Sequence, residues 1–174
     1  MKPIIFFNKI KSEIEKIDSK QVEGSLKLFK NVKKKKSKVI IVGNGGNSSS
    51  CSHVSNDLTN YSKIRSVNFN DSNLITCFAN DYGYENWVTK SLEYYCKKND
   101  LVVLLSAGGN SKNIVNAAIY CKKKNINLIT LSGINKNNKL RKFGNFNFFV
   151  NSKNYNVVEL ILSLIHISEP TRPL

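Results

Sequence analysis

Two glycine-rich stretches hold the residue types best suited to grip a small polar ligand. Gly43-Asn44-Gly45-Gly46-Asn47 follows the apolar run Val39-Ile40-Ile41-Val42 directly, and three serines come after it. A buried strand that ends in a glycine turn and opens into a helix presents backbone N–H groups at the helix start, which suits an anion or a polyol. The row G-N-G-G-N-S lacks the spacing of a dinucleotide fingerprint, and no Gly-Lys-Ser/Thr follows as in a nucleotide phosphate loop. Taken alone, such a turn is as readily a plain tight connection. Ser106-Ala107-Gly108-Gly109-Asn110-Ser111 supplies a second unit, between the apolar run 101–105 and an amphipathic stretch with Ile114, Val115, Ala118 and Ile119. Two such units, each with backbone donors and hydroxyls, can close on one phosphorylated ligand.

Two acid-bearing pairs accompany the turns. His53 and Asp57 stand four residues apart in the helix expected after the first turn, so they share a face. An imidazole and a carboxylate so placed can hold a metal or move a proton, although by itself the pattern is more often an ordinary surface pair. Asn80-Asp81 follows the apolar segment 74–78, read here as a strand, which puts an amide and a carboxylate at the sheet edge where open α/β folds bind ligands. The plainer role for Asp81 is to cap a helix expected over 84–96, and both can hold at once.

The elements that must position these residues are legible in outline. The N-terminal segment 1–36 shows Ile10, Ile14, Ile17, Val22, Leu26 and Phe29 at helical spacing, with Gly24-Ser25 as a candidate break. Further strands are expected at 127–131 and 146–150, and a helix over 155–166 with Val158, Glu159 and His166. Regular alternation of strand and helix predicts a parallel sheet covered by helices on both faces. A chain of 174 residues that is 41% hydrophobic suits one domain. No apolar run is long enough to cross a bilayer and no signal peptide is evident, so a cytoplasmic protein without membrane contact is expected. Cys51, Cys77, Cys96 and Cys121 are too scattered for a zinc ribbon or a disulfide framework, and are read as reduced thiols. The formal charge of +15 comes largely from lysine, in runs such as 33–36 and 122–124 at helix ends rather than among stacking aromatics. Nucleic acid is therefore not an expected partner, whereas attraction to phosphorylated small molecules is.

In order and interval, VGNGGNSSSCSHVSNDL, FANDYGYE and LSAGGNSKNI resemble the sugar isomerase (SIS) domain, in particular the bacterial phosphoheptose isomerases, over about residues 39–166. The resemblance implies an α/β fold, a three-layer αβα sandwich with a five-stranded parallel sheet over 37–166, preceded by the helical segment 1–36. It implies a homotetramer with sites between subunits, acting on a sugar phosphate. The implied reaction converts sedoheptulose 7-phosphate to D-glycero-D-manno-heptose 7-phosphate, for the heptoses of surface polysaccharide such as lipopolysaccharide. By position, Asn44, Gly45, Gly46 and Asn47 line the sugar, Asn80 and Asp81 contact its hydroxyls, and Ser106, Ala107, Gly108 and Ser111 form the phosphate cradle. His53, Asp57 and His166 match zinc ligands; Asp57 also binds substrate and serves as base, with His166 as acid.

The chain departs from that family pattern at several positions. Asn47 stands for a serine, Gly108 for a hydroxyl residue, and Asp57 for a glutamate whose carboxylate reaches about 1.5 Å further. Val158 stands for a glutamine ligand, and Glu159 beside it is expected to point roughly 100° away on its helix. From residue 163 the row reads SLIHISEPTRPL, an atypical ending over 163–174 that resembles translated sequencing-adaptor sequence rather than the family's last helix. Two alternatives from other classes share these loops: a non-catalytic SIS module that binds a sugar phosphate, and a relative that associates with the replication initiator.

Overall fold

The computed structural model describes residues 3–164. Five strands, β1 Val39–Gly43, β2 Ser66–Asn68, β3 Leu101–Ser106, β4 Asn127–Gly133 and β5 Phe146–Val150, form one sheet in the order β2-β1-β3-β4-β5. Every neighbouring pair is parallel. The helices are α1 Pro3–Ile14, α2 Ser19–Lys34, α3 Gly46–Asn60, α4 Ser72–Tyr82, α5 Trp87–Tyr95, α6 Lys112–Lys123 and α7 Tyr155–Leu164, with a short 3-10 turn at Leu140–Lys142.

The central strands are apolar throughout because both sheet faces are covered, and successive side chains go to opposite cores. Val39, Ile41, Val103 and Leu105 point into one core with Ile10, Val32, Cys51, Leu58, Val157 and Ile161, so α1, α2, α3 and α7 cover that face. Ile40, Val42, Val102 and Leu104 enter the other core with Trp87, Leu92, Ile114, Ala118 and Cys121, contributed by α5 and α6, while Leu74, Ile75 and Phe78 of α4 pack at its margin. This is the expected three-layer α/β fold.

The chain runs from β1 to β2 on one side, then crosses back to β3 on the other side of β1. The strand order thus reverses at β1 and β3, and ligands of open α/β sheets sit beyond the carboxyl ends of strands at such a switch point. At the opposite end of the pair, buried Asp100 accepts from the Lys38 and Lys97 backbone N–H groups and from Lys38 Nζ at 2.6 Å. That anchor fixes the β1–β3 register, in which Gly43 lies opposite Leu105.

Three expectations are corrected. Residues 74–78 are helical: Asp71 caps α4 by accepting from Leu74 N–H at 2.9 Å, and Leu74, Ile75, Phe78 and Ala79 recur at helical spacing against the second core. A five-residue apolar run fits either period, and the cap decided it. The strand is Ser66–Asn68 instead, a short edge strand. Asp81 accordingly sits in the last turn of α4 and caps nothing after it; α5 starts at Trp87 behind Asn86. Gly24 does not break the N-terminal segment. The helices part near Asp18, whose carboxylate accepts from Lys20 N–H at 2.9 Å, and Gly24 lies inside α2 where any Cβ would strike the Phe146 ring.

Candidate active site

Gly43 and Ser106 end adjacent strands, so the two glycine turns leave the sheet side by side. Asn44, the first residue past β1, and Asn113, in the first turn of α6, exchange both amide groups: Asn44 Nδ2 donates to Asn113 Oδ1 at 3.0 Å, and Asn113 Nδ2 to Asn44 Oδ1 at 2.9 Å. Asn113 is 2% exposed, so the bonds form away from competing water. The pair joins the floors of both turns.

The β3 turn is built around Ser106 and Ser111. Their hydroxyls lie 3.2 Å apart, and Ser106 also accepts from the Gly109 N–H, through Oγ at 3.1 Å and through its backbone carbonyl at 2.9 Å. Gly109 has φ +65°, and a Cβ there would fall within the side chain of Asn138, so only glycine fits. Asn138 is held in turn by Ser132 Oγ, the Asn135 carbonyl and the Arg141 N–H. Leu140 N–H donates to Gly109 O, and Lys139 N–H to Asn110 Oδ1. The segment 135–142 thereby braces the turn from behind. In front, the N–H groups of Gly108, Asn110 and Ser111 have no partner among the described residues, and Ser111 makes no side-chain cap bond to α6. A cradle of free amides and two hydroxyls at a helix start can bind phosphate.

The β1 turn differs. Gly45 has φ +57° and opens α3 with no side-chain cap bond; the first amides of that helix turn inward, Asn47 N–H to Asn44 O at 3.2 Å and Ser48 N–H to Gly45 O at 2.9 Å. Asn70, in the loop after β2, donates to Ser48 O and Ser52 Oγ at 2.6 and 2.7 Å and ties that loop to the first turn of α3. Asn47 is buried and its Nδ2 donates to Glu159 Oε1 at 3.3 Å. Val158, fully buried, packs over Gly133 and Glu159 faces the turn, so the carboxylate read as pointing away from the site is the α7 residue that meets it.

His53 and Asp57 share a face of α3 as expected, with Nε2 and Oδ2 3.4 Å apart; Asp57 is 15% exposed and His53 66%. Asp57 lies about 16 Å along α3 from Gly46, at the helical rise per residue. Asp57 therefore stands about three helical turns from the β1 turn that opens α3. Asn80 and Asp81 are exposed in the last turn of α4, where Asp81 accepts from Asn80 Nδ2 at 3.0 Å and meets Cys77 Sγ at 3.8 Å. Among the described residues their side chains form no hydrogen bond with either turn. His166 and the atypical segment from 165 onward lie outside the described residues. The described residues provide no cluster of three or more His, Cys, Asp or Glu side chains. His53 and Asp57 offer two donors where a catalytic zinc takes three from the protein, and Val158 has none to give. Among the described residues His53 and Asp57 are thus the two of the three expected zinc ligands that stand together, and the chemistry below uses no metal.

Sequence reading missed Asn113, Asn70 and Asn138, which lie in asparagine-rich stretches where nothing marks one amide from another. Glu159 was visible as a residue but its direction was not.

The fold and the two turns define the class, and comparison with known proteins agrees. The family model described as "SIS domain" matches residues 5–133, and the chain belongs to that family. Within it the chain is a member of the phosphoheptose isomerases, a family of phosphosugar isomerases. It is 32% identical over 164 residues to the phosphoheptose isomerase of Buchnera aphidicola subsp. Acyrthosiphon pisum, covering 86% of this chain and 82% of that one. It is 30% identical over 159 residues to that of Fusobacterium nucleatum, covering 88% and 81%. Among solved structures, phosphoheptose isomerase from Neisseria gonorrhoeae superposes with a TM-score of 0.85 at 21% identity, covering 91% of this chain and 88% of that one, and shows the same fold. The described residues contain no helix long and apolar enough to cross a membrane.

Proposed function

We propose that the chain interconverts sedoheptulose 7-phosphate and D-glycero-D-manno-heptose 7-phosphate, feeding the heptoses of surface polysaccharide. The observation that carries the reading is the Asn44–Asn113 pair, which binds a phosphate cradle and a sugar-sized polar turn into one crevice at the switch point. In this reading the cradle of Gly108, Asn110 and Ser111 N–H groups and the Ser106 and Ser111 hydroxyls takes the phosphate, and the β1 turn takes hydroxyls.

The reaction moves two protons and no other atoms. A base removes a proton from C1 of the open-chain ketose, the C1–C2 bond gains double-bond character as the C2 carbonyl oxygen takes a proton, and the enediol then loses its O1 proton while C2 is reprotonated. What the protein must supply is a base of suitable reach, donors for the developing oxyanion, and exclusion of water. Asp57 is the base in this scheme, and His53 beside it steadies its charged form when protonated. In this reading the chain acts as a homotetramer with its sites between subunits, and the position of Asp57 about three turns along α3 from the β1 turn is in keeping with a base supplied to a neighbouring copy's site. The proposed setting is the cytoplasm.

The test is isomerisation of sedoheptulose 7-phosphate followed by proton NMR in deuterated water, with sedimentation to give the oligomeric state. Turnover with deuterium entering at C2 supports the scheme; binding of the sugar phosphate without turnover or exchange replaces it with a sensing role.

A further inference from the structure

The two glycine turns look alike in sequence but carry different charge. Glu159 is the single acidic side chain of α7. Its carboxylate oxygens both come within 3.2 Å of where a Cβ on Gly46 would stand, so the bare glycine is what lets the carboxylate approach the start of α3. Asn47 Nδ2 donates to Oε1 at 3.3 Å, and burial first, and then the Glu159 carboxylate, hold the Tyr155 phenol above its ordinary pKa. The Glu159 carboxylate therefore stands at the positive end of α3, where the Asn47 and Ser48 amides are already spent on backbone carbonyls. The β3 turn has the opposite character. Its Gly108, Asn110 and Ser111 amides have no partner among the described residues, and α6 has no acidic residue in its first turn.

Building on the phosphosugar reading above, we infer that Glu159 sets which way round the ligand lies. It denies the β1 turn to a phosphate and so leaves the dianion only the β3 turn, while its carboxylate accepts hydrogen bonds from the uncharged sugar end. Without that charge a phosphosugar also binds reversed, and a reversed ligand is unreactive.

The experiment is a titration of the isotope-labelled full chain with inorganic phosphate, following backbone amide resonances. In the wild type, amides 108–111 are expected to shift and saturate while 45–48 stay in place; in Glu159→Gln both sets shift, and Glu159→Asp restores the wild-type pattern. Equal shifts at both turns in the wild type, no shift at either, or an unchanged pattern in Glu159→Gln overturns the inference. Should Glu159→Gln lose its dispersed spectrum, Glu159→Ser, which also removes the charge, is titrated in its place and judged by the same criterion. A kinetic arm separates orientation from mere support of the fold. Reversed binding lowers kcat and KM for sedoheptulose 7-phosphate together, by about two- to fivefold for one charge at a helix start, and leaves kcat/KM as it was; a fall in kcat/KM with unchanged KM counts against the inference. Phosphate confined to the β3 turn in a wild type that fails to isomerise sugar would end the isomerase assignment and leave that of Glu159 standing.

Discussion

Asn44 and Asn113, sixty-nine residues apart in the chain, form a closed two-bond amide pair between the β1 turn and the first turn of α6. Each satisfies the other's donor and acceptor, so removing one leaves a polar group without its partner where water is scarce. Asn44→Ala or Asn113→Ala is expected to cost about 1–3 kcal/mol of stability. The double variant should cost less than the sum of the singles, and a double-mutant cycle by chemical denaturation measures the difference. Additive losses would show that the pair does not couple the turns.

Gly109 and Gly108 are neighbours with opposite constraints. Gly109 has positive φ and Asn138 fills the space its Cβ would need; Gly108 has open space around it. Gly109→Ala is expected to destabilise by about 2–4 kcal/mol, combining backbone strain and overpacking. Gly108→Ala should leave the melting temperature within about 1 °C while raising KM for a phosphosugar, because the added methyl crowds the cradle. Thermal melts and steady-state kinetics on the two variants check this.

Asp57 is the carboxylate assigned to proton abstraction. Asp57→Asn keeps the side-chain shape and removes the basicity, so kcat is expected to fall by roughly 10²–10⁴-fold while binding of the sugar phosphate, measured by calorimetry, stays close to that of the wild type. A variant that retains most of its turnover would take the base assignment away from this residue.

The four thiols are expected to separate by burial. Burial pushes the Cys51 thiol up to about 12 and raises Cys121 still further; Cys96, half-buried and near Asp100, is raised to about 11. Cys77 is exposed on α4. Since the thiolate is the reactive form, an aromatic disulfide reagent at pH 8 should label Cys77 quickly, Cys96 slowly, and Cys51 and Cys121 only after unfolding. Rapid labelling of all four in the folded protein would contradict the packing of α3 and α6.

The sequence by itself determined four of the five strands, the two glycine turns and the helix carrying His53 and Asp57, because each rests on local signals: β-branched runs broken by glycine, and apolar residues at helical spacing. It misplaced the second strand, since a five-residue apolar run such as 74–78 satisfies strand and helix alike and only the Asp71 cap and the second core distinguish them. Asn80 and Asp81 were carried with that error to a strand end they do not occupy. The meeting of Asn44 with Asn113 and the approach of Glu159 to Gly46 were decided only in three dimensions. Both depend on how β1, β3 and α7 pack, and an asparagine or glutamate reads the same in the chain whether it faces solvent or closes a crevice. Direction on a helix is set by which neighbour enters the core: Val158 went in over Gly133, and that placed Glu159 at the turn.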